Sequence, residues 1–462
     1  MSKTLTNLDA LRFAIHGVAA PFFCGGTHDP AQIIRFVFKD KSQFEVVRAK
    51  DNYEQQNLLK PLLDHCRPAP FGDGKKTRYD RLVRDALQLK AAERGGFSIK
   101  GFDPESGGIL AEIQRELVPH DPKPITAELD SVNVYTGGGH FAPHKDTPRG
   151  NDMLGTLVVC LPSRFSHGQL LVSHRGVIQE FDWASAISKQ DSPNQLHWAA
   201  FFGDVNHQIK SVWSGARVTL SYLLRRGGNG APMRPNKKVN LAPQIQEAWQ
   251  TLLADKEFLP KGGTLGYPCC HLYHQDARFQ TEQSPIDRGT ATRLKGRDHL
   301  VAATALEAGL EVDFVPYMFE NCADETWLLE RFPTSKEKSR LRCRMDPSDL
   351  EEAFPILASS EDGGFDVTWM DEPPSSDETM RQSADDHDPQ LPAAALVHSC
   401  EYSATGYFGN EGGEVDLYTY AALHVRIPKL GKGLRAMAKK STTPTAKVKR
   451  STGKGKGKAK RE

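Results

Sequence analysis

The sequence is poor in cysteine for its length and has no long hydrophobic run. Its eight cysteines are spread over 462 residues, a pattern that excludes a small disulfide-stapled scaffold and favours reduced thiols in the cytoplasm or nucleus. A membrane-spanning helix needs roughly 20 consecutive apolar residues. The apolar stretch from Phe13 to Cys24 is interrupted by His16 and Pro21. We therefore predict neither a membrane segment nor a secretory signal.

The chain also has little net charge, +1, but its charges are unevenly placed. Residues 429–462 contain 13 Lys and Arg and one acid, so the remainder has 46 basic and 57 acidic residues and a net charge of −11. We interpret this disordered basic tail as a nuclear-localisation signal, a weak tether to nucleic-acid phosphates, or a solubilising tail without a specific partner.

Four regions follow one another along the chain. Hydrophobic residues make up 39% and charged residues 25% of it, as in soluble globular proteins. The predicted regions are a helical N-terminal support (1–120, with helices over 51–66, 78–94 and Ile109 to Leu117), a β-rich core (121–227), a C-terminal extension (228–428, with a helix over 242–256 and an acidic flexible insertion over 345–391) and the tail (429–462).

The core region consists of short β-like runs without helices between them, a pattern that predicts an antiparallel sandwich or barrel. These runs are Ser131 to Tyr135, Leu154 to Leu161, Gln169 to Ser173, His197 to Phe202 and Arg217 to Leu224. A further strand-like run, Tyr418 to Ile427, precedes the tail.

A candidate metal site begins with His144 and Asp146, at the end of a predicted strand. Residues i and i+2 of an extended chain point to the same face, so this pair can bind one ion. The His-x-Asp pattern is weak alone, since it recurs at His274 and Asp276. Only the first pair has a suitable downstream partner, His207.

Two histidines and one carboxylate leave three positions of an octahedral Fe(II) open, whereas structural zinc is closed by four protein ligands. Arg217 follows His207 by ten residues and begins a strand. Its guanidinium can hold a carboxylate in bidentate fashion, and the Thr219 hydroxyl would face the same side. This spacing predicts an anchor for the distal carboxylate of 2-oxoglutarate.

Together, His144-x-Asp146, His207 and Arg217 resemble the prolyl-4-hydroxylase-like branch of the 2-oxoglutarate/Fe(II) oxygenases. The sequence also resembles a mainly fungal group of that superfamily, in four segments: Val-Asn-Val-Tyr135-Thr-Gly-Gly, His144-Lys-Asp-Thr-Pro-Arg, Gly155-Thr-Leu-Val-Val-Cys-Leu-Pro162 and Trp198-Ala-Ala-Phe-Phe-Gly-Asp204.

The resemblance implies an α+β protein with a double-stranded β-helix (jelly-roll) core, flanking helices and the C-terminal extension. It implies Fe(II) held by His144, Asp146 and His207, with 2-oxoglutarate and O2 as cosubstrates and ascorbate as a candidate reductant. Arg217 matches the cosubstrate anchor. Tyr135 matches a tyrosine that hydrogen-bonds 2-oxoglutarate, and it is equally interpreted as a core aromatic residue.

The implied reaction hydroxylates a protein or peptide side chain and releases succinate and CO2. Collagen-type prolyl hydroxylases carry Lys where this chain has Arg217. Proline is therefore the leading hypothesis for the hydroxylated residue, and the motifs do not establish it. The presence of Asp146 argues against halogenation, and no catalytic residue is predicted beyond the metal ligands. Asp204 is interpreted as a residue that orients a metal ligand.

Two other functions are weighed, a non-catalytic jelly-roll binding module and a nucleic-acid-directed oxygenase tethered by the tail. The acidic body disfavours the second. The segment Cys269-Cys270-His271-Leu-Tyr-His274 offers potential zinc ligands, but no second Cys/His pair follows it at the interval that zinc sites use. We therefore interpret it as a buried strand or a loop near the mouth of the active site. The oligomeric state is not predicted.

Overall fold

A computed structural model gives the fold of most of the chain. The residues it describes are 6–73, 76–92, 96–147, 149–150, 152–189, 192–227, 243–274, 285–320, 325–329, 356–359, 367–370, 418–419 and 421–437. The basic tail beyond residue 437 lies outside the described residues, and so does most of the predicted acidic insertion.

The first two described helices begin where short polar side chains cap their first turns. Thr6 and Asp9 form a reciprocal capping box, and Asp51 accepts a hydrogen bond from the Glu54 amide. The helices are α1 (Asn7–His16), α2 (Asn52–Leu63), α3 (Ile109–Leu117), α4 (Trp183–Lys189), α5 (Pro243–Ala254), α6 (Arg288–Ala291), α7 (Gly296–Glu307) and α8 (Leu434–Met437). Predicted helices near 51–66, 109–117 and 242–256 are therefore confirmed.

Strands dominate the first half of the described chain. They are β1 (Phe23–His28), β2 (Arg35–Phe38), β3 (Gln43–Glu45), β4 (Arg67–Pro68), β5 (Phe71–Asp73), β6 (Lys76–Arg78), β7 (Arg84–Asp85), β8 (Leu87–Lys90), β9 (Phe97–Lys100), β10 (Ile125–Thr136), β11 (His140–His144), β12 (Met153–Cys160), β13 (Phe165–His167), β14 (Leu170–His174), β15 (Val177–Phe181), β16 (Leu196–Phe202), β17 (Asn206–Ile209) and β18 (Val212–Arg226). Each of the five predicted β-runs of the core coincides with a strand, with Leu161 and Gln169 lying one residue outside β12 and β14.

Two antiparallel sheets form the part of the molecule that we call the core unit. The larger has the order β1-β16-β12-β18-β10-β8-β4 with β13 beside β18, and the smaller has the order β15-β14-β17-β11-β7. β16 is buried at every position, because it lies between β1 and β12 and is covered on both faces. This pairing agrees with the predicted antiparallel class, and a single hydrophobic core joins the two sheets.

One helix prediction is wrong. Residues 78–94, expected to be helical, contain β7 and β8 instead. Leu87 and Leu89 of β8 pair with Val134 and Val132 of β10. Burial against a strand some forty residues away outweighs the local helical pattern. The expected helical region over 1–120 accordingly contains many short strands, and β1 is an edge strand of the larger sheet.

The rest of the described chain forms a second compact part, which we call the C-terminal unit. Its strands are β19 (Gly263–Pro268), β20 (Tyr273–His274), β21 (Glu311–Glu320), β22 (Glu325–Leu329), β23 (Ile356–Ser359), β24 (Val367–Trp369), β25 (Tyr418–Thr419) and β26 (Ala421–Ile427). Six of them form a sheet in the order β23-β22-β21-β26-β19-β24. β23 and β24 lie within the insertion predicted to be flexible over 345–391, so those residues depart from the prediction.

Helices α1, α5 and α7 complete the C-terminal unit. Trp249 of α5 and Val301 of α7 are fully buried in its hydrophobic core, together with Leu11 and Ile15 of α1. The N-terminal helix therefore belongs to the C-terminal unit and not to a separate N-terminal support.

Candidate active site

Two histidines meet across adjacent strands of the smaller sheet. His144 at the end of β11 and His207 in β17 are direct partners in the antiparallel register, and their ring centroids are 4.1 Å apart. The Nδ1–H of His144 donates to the carbonyl of Ala142 at 2.8 Å, and that of His207 donates to the carbonyl of Val205 at 3.1 Å. These bonds fix the rings so that both Nε2 atoms can bind a metal ion.

Asp146 provides the third ligand atom. Its Oδ1 lies 3.6 Å from Nε2 of His207, and the ligand atoms of His144, Asp146 and His207 all lie within 4.8 Å of one another. Its Oδ2 accepts a hydrogen bond from Thr156 Oγ1 at 2.6 Å. Sequence reasoning missed Thr156, because it lies on another strand, β12. The donor set of two imidazoles and one carboxylate fits Fe(II) with open positions.

The protonation of His144 also favours metal binding. The ring is buried, it lies beside His207, and it stacks on Phe141 with centroids 3.6 Å apart. Burial and the neighbouring His207 hold the pKa of His144 well below its ordinary value. The neutral imidazole is the form that binds a metal ion, so His144 is in its ligand form near neutral pH.

Arg217 lies in the same pocket as the three ligands. Its side chain is only 1% exposed, and none of its three guanidinium nitrogens has a hydrogen-bond partner among the described residues. The rings of Trp183 and Tyr135 lie 5.1 and 5.6 Å from its Cζ atom. Burial lowers the pKa of Arg217, yet an arginine keeps its charge in proteins. A buried cation without a partner is costly, so the pocket is built for an anion.

The pairing of β10 with β18 sets the floor of the pocket. Tyr135 is opposite Arg217, and Asn133 is opposite Thr219. Directly opposed residues of an antiparallel pair point to the same face, so all four side chains reach the pocket. Thr219 is 2% and Tyr135 is 4% exposed. The three predicted cosubstrate contacts, Arg217, Tyr135 and Thr219, are therefore brought together with the three predicted metal ligands.

A second wall of the pocket carries a polar network that sequence reasoning missed. The amide oxygen of Asn133 accepts hydrogen bonds from Arg84 (2.8 Å) and from Gln88 (2.9 Å), and its Nδ2 donates to Ser221 (3.1 Å). The Arg84 guanidinium lies over the Phe141 ring at 4.4 Å. Arg84 and Gln88 come from the segment that was expected to be helical. Because that prediction was wrong, the sequence did not indicate that these residues lie beside the site.

Asp204 does something other than orient a ligand by direct contact. Its fully buried carboxylate binds Lys295 Nζ at 2.7 Å, His271 Nδ1 at 3.0 Å and the Leu272 amide at 2.9 Å. Burial alone would raise the pKa of Asp204, but Lys295 and His271 hold it well below its ordinary value. Asp204 thus connects the core unit to the C-terminal unit.

The Cys269–His274 segment is a largely buried loop of that junction that runs into β20. Cys269 and His271 are 4% and 3% exposed, and the Cys270 and His271 amides both donate to Asp298. Within the described part of the chain, only His144, Asp146 and His207 are grouped as a metal site would require. Asp276, of the second His-x-Asp pattern, lies outside the described residues.

No protein-family model and no curated protein matches this chain. Among solved structures it is similar to a prolyl-4-hydroxylase of Pseudomonas putida, with 16% identity, coverage of 47% of this chain and 100% of the other, and a TM-score of 0.27. A prolyl hydroxylase of Trichoplax adhaerens, in complex with a hypoxia inducible factor peptide fragment, matches with 15% identity, 47% and 90% coverage and a TM-score of 0.28. A 2OG-Fe(II) oxygenase family oxidoreductase of Burkholderia pseudomallei matches with 18% identity, coverage of 40% of this chain and 84% of the other, and a TM-score of 0.22. Because the identities and TM-scores are this low, the function must be argued from the pocket residues themselves.

Within the described residues, no helix is both long enough and apolar enough to span a bilayer. The five cysteines in that part of the chain, Cys24, Cys66, Cys160, Cys269 and Cys270, are free thiols.

Proposed function

We propose that this protein is an Fe(II)- and 2-oxoglutarate-dependent dioxygenase with a jelly-roll core. The observation that carries the proposal is the pocket that combines His144, Asp146 and His207 with the buried guanidinium of Arg217, which has no hydrogen-bond partner among the described residues. A facial set of ligands needs a chelating cosubstrate to complete it. A buried cation in the same pocket needs that cosubstrate to be an anion.

The metal would be held by Nε2 of His144 and of His207 and by the Asp146 carboxylate. When bound, Fe(II) with 2-oxoglutarate and O2 supplies the oxidation of a substrate C–H bond, with release of succinate and CO2. The protein's own part is to orient both imidazoles through their Nδ1–H bonds, and to hold the carboxylate through Thr156.

The cosubstrate would be anchored at the buried Arg217. Arg217 would bind its distal carboxylate, with Thr219 as a hydroxyl donor beside it and Tyr135 across the strand pair. Because Arg217 is 1% exposed, water does not compete for this contact. The polar wall of Arg84, Gln88 and Asn133 is left for the second substrate.

The substrate class proposed is a protein or peptide side chain, in the manner of prolyl hydroxylases. This choice, the membership of a mainly fungal group and the use of ascorbate as a reductant rest on the sequence motifs. The basic tail, the basis for a nucleic-acid-directed alternative, lies outside the described residues.

The test is anaerobic binding of Fe(II) and 2-oxoglutarate, followed by succinate release in air without a second substrate. We expect wild-type protein to form succinate and both His207→Ala and Arg217→Ala to fall to background. Arg164→Ala is the matched control, because Arg164 is exposed and lies outside the pocket. Succinate formation that is indifferent to both pocket substitutions would refute the mechanism.

A further inference from the structure

We infer that the C-terminal unit positions the metal ligands of the core unit through three consecutive residues, Gly203, Asp204 and Val205. This inference rests on the proposed function, because the ligands in question are those of the proposed iron site. The three residues connect β16 to β17, the strand that carries His207.

The outer two residues of this segment contact two ligands directly. The backbone amide of Asp146 donates to the Gly203 carbonyl at 3.0 Å. The Nδ1–H of His207 donates to the Val205 carbonyl at 3.1 Å. Any displacement of the segment therefore moves a carboxylate ligand and an imidazole ligand together.

The middle residue, Asp204, is bound entirely from the C-terminal unit in the contacts described. Lys295, at the start of α7, and His271 and Leu272, from the loop after β19, provide its three hydrogen bonds. Lys295 Nζ also donates to the Leu272 carbonyl at 3.0 Å. A buried charge-assisted network of this kind is rigid because its carboxylate oxygens are bound in fixed directions.

The partners of Asp204 are themselves fixed. Asp298, fully buried, accepts from the His271 amide at 3.0 Å and from the Tyr273 hydroxyl at 2.8 Å. The His271 ring stacks on His174 of β14, with centroids 4.5 Å apart. Gly296 has φ +44°, and a Cβ there would lie 3.1 Å from His271 Nε2, so the close approach of α7 to this ring requires glycine. This network of hydrogen bonds and ring contacts thus connects the core unit with the C-terminal unit.

Asp204, His271 and Lys295 are positioning residues, since in the contacts described none of them touches a metal ligand and Asp204 acts on the ligands through the backbone of residues 203–205. Partners that orient ligands in this way typically change metal affinity about 10- to 100-fold when they are removed. A role confined to folding would instead leave the affinity of the folded protein unchanged.

The experiment is an anaerobic titration of full-length protein with Co(II), read by its visible ligand-field spectrum. It compares wild type, Asp204→Asn and His271→Phe at a temperature where circular dichroism shows each to be folded. His271→Phe keeps an aromatic ring against His174 and Phe202 but loses the hydrogen bond to Asp204. If Asp204→Asn does not fold, the comparison of His271→Phe with wild type tests the inference.

Asp121→Asn is the matched control. Asp121 is buried and lies 3.6 Å from Arg226, which donates to the Arg293 carbonyl of the C-terminal unit at 2.7 Å. The hydrogen bond from Arg226 to Arg293 spans the same two units without touching residues 203–205, and Asp121 is the carboxylate beside Arg226. Its removal tests for general loosening of the junction.

We expect Co(II) to bind about 10- to 100-fold more weakly in Asp204→Asn and His271→Phe, with an altered spectrum, and within about twofold of wild type in Asp121→Asn. Wild-type affinity and spectrum in the first two variants, or an equal loss in Asp121→Asn, would overturn the inference. Failure of the wild-type protein to bind Co(II) would instead refute the proposed function.

Discussion

Arg217 in the pocket and Asp204 at the junction are both charged side chains that are 1% exposed, but their surroundings are opposite. The Asp204 carboxylate has three hydrogen-bond donors, including the Lys295 ammonium. The Arg217 guanidinium has no hydrogen-bond partner in the described part of the chain. A charge that folding leaves unpaired is a binding site, whereas a charge that folding pairs holds the structure together. The four predictions that follow test this contrast.

The largest effect is expected on stability for Asp204→Asn. The substitution removes the buried carboxylate that pairs with the Lys295 ammonium and with His271, so the free energy of unfolding should fall by about 3–5 kcal/mol. Urea denaturation at neutral pH measures it. Glu180→Gln, which removes an exposed pairing with Lys210, serves as the control and should cost less than about 1 kcal/mol. Similar losses in both variants would contradict the account of the junction.

The same carboxylate predicts a dependence on pH. The pKa of Asp204 in the folded protein lies well below its ordinary value, whereas in the unfolded chain it is about 3.9. The unfolded state therefore binds the proton first as the solution is acidified. The contribution of Asp204 is complete above the unfolded pKa and is lost as pH falls through the folded pKa.

The difference in unfolding free energy between wild type and Asp204→Asn should consequently be constant from neutral pH down to about pH 5, and shrink below about pH 4. Urea denaturation at a series of pH values checks this. A difference that closes near pH 6, or widens in acid, would show that another group dominates.

Arg217→Met should behave in the opposite way to Asp204→Asn. It removes a buried cation that has no hydrogen-bond partner within the described ranges, so the unfolding free energy without ligand should stay unchanged or rise. Binding of 2-oxoglutarate to Mn(II)-loaded protein should weaken by at least about 100-fold, since a charge-assisted bidentate contact is lost. Urea denaturation and calorimetric titration measure the two effects. A variant as unstable as Asp204→Asn would show that Arg217 is a structural residue.

A smaller effect is expected for Thr156→Val, which keeps the side-chain shape but removes the hydrogen bond to Asp146. The affinity for Mn(II), measured by calorimetry, should fall about tenfold because the carboxylate ligand loses its orientation. Thr126→Val, on β10 and outside the pocket, is the control. Equal affinities in all three proteins would show that Thr156 does not orient the ligand.

The sequence predicted those features that depend on short spacings. His144 and Asp146 are two residues apart at the end of β11, and Arg217 follows His207 by ten residues within β18, although β18 begins at Val212 and not at Arg217 as the sequence suggested. The β-runs of the core could be predicted for the same reason, since the residue pattern of a strand is a local property of the sequence.

Features that depend on distant pairing could not be predicted in this way. Residues 78–94 have the apolar spacing of a helix, but β8 is a strand because β10 lies beside it. Asp204 is bound by residues 67 and 91 positions further along the chain, which no spacing rule indicates. The N-terminal helix packs in the C-terminal unit for a similarly non-local reason.

The most direct measurement compares 2-oxoglutarate with 2-oxobutanoate, which has the same chelating group but no distal carboxylate. Calorimetric titration of both into Mn(II)-loaded wild type and Arg217→Met isolates the interaction between the carboxylate and the guanidinium. We predict that wild type prefers 2-oxoglutarate by at least about 100-fold and that the preference disappears in Arg217→Met. A preference of equal size in both proteins, or none in wild type, would contradict the assignment of Arg217 as the anchor.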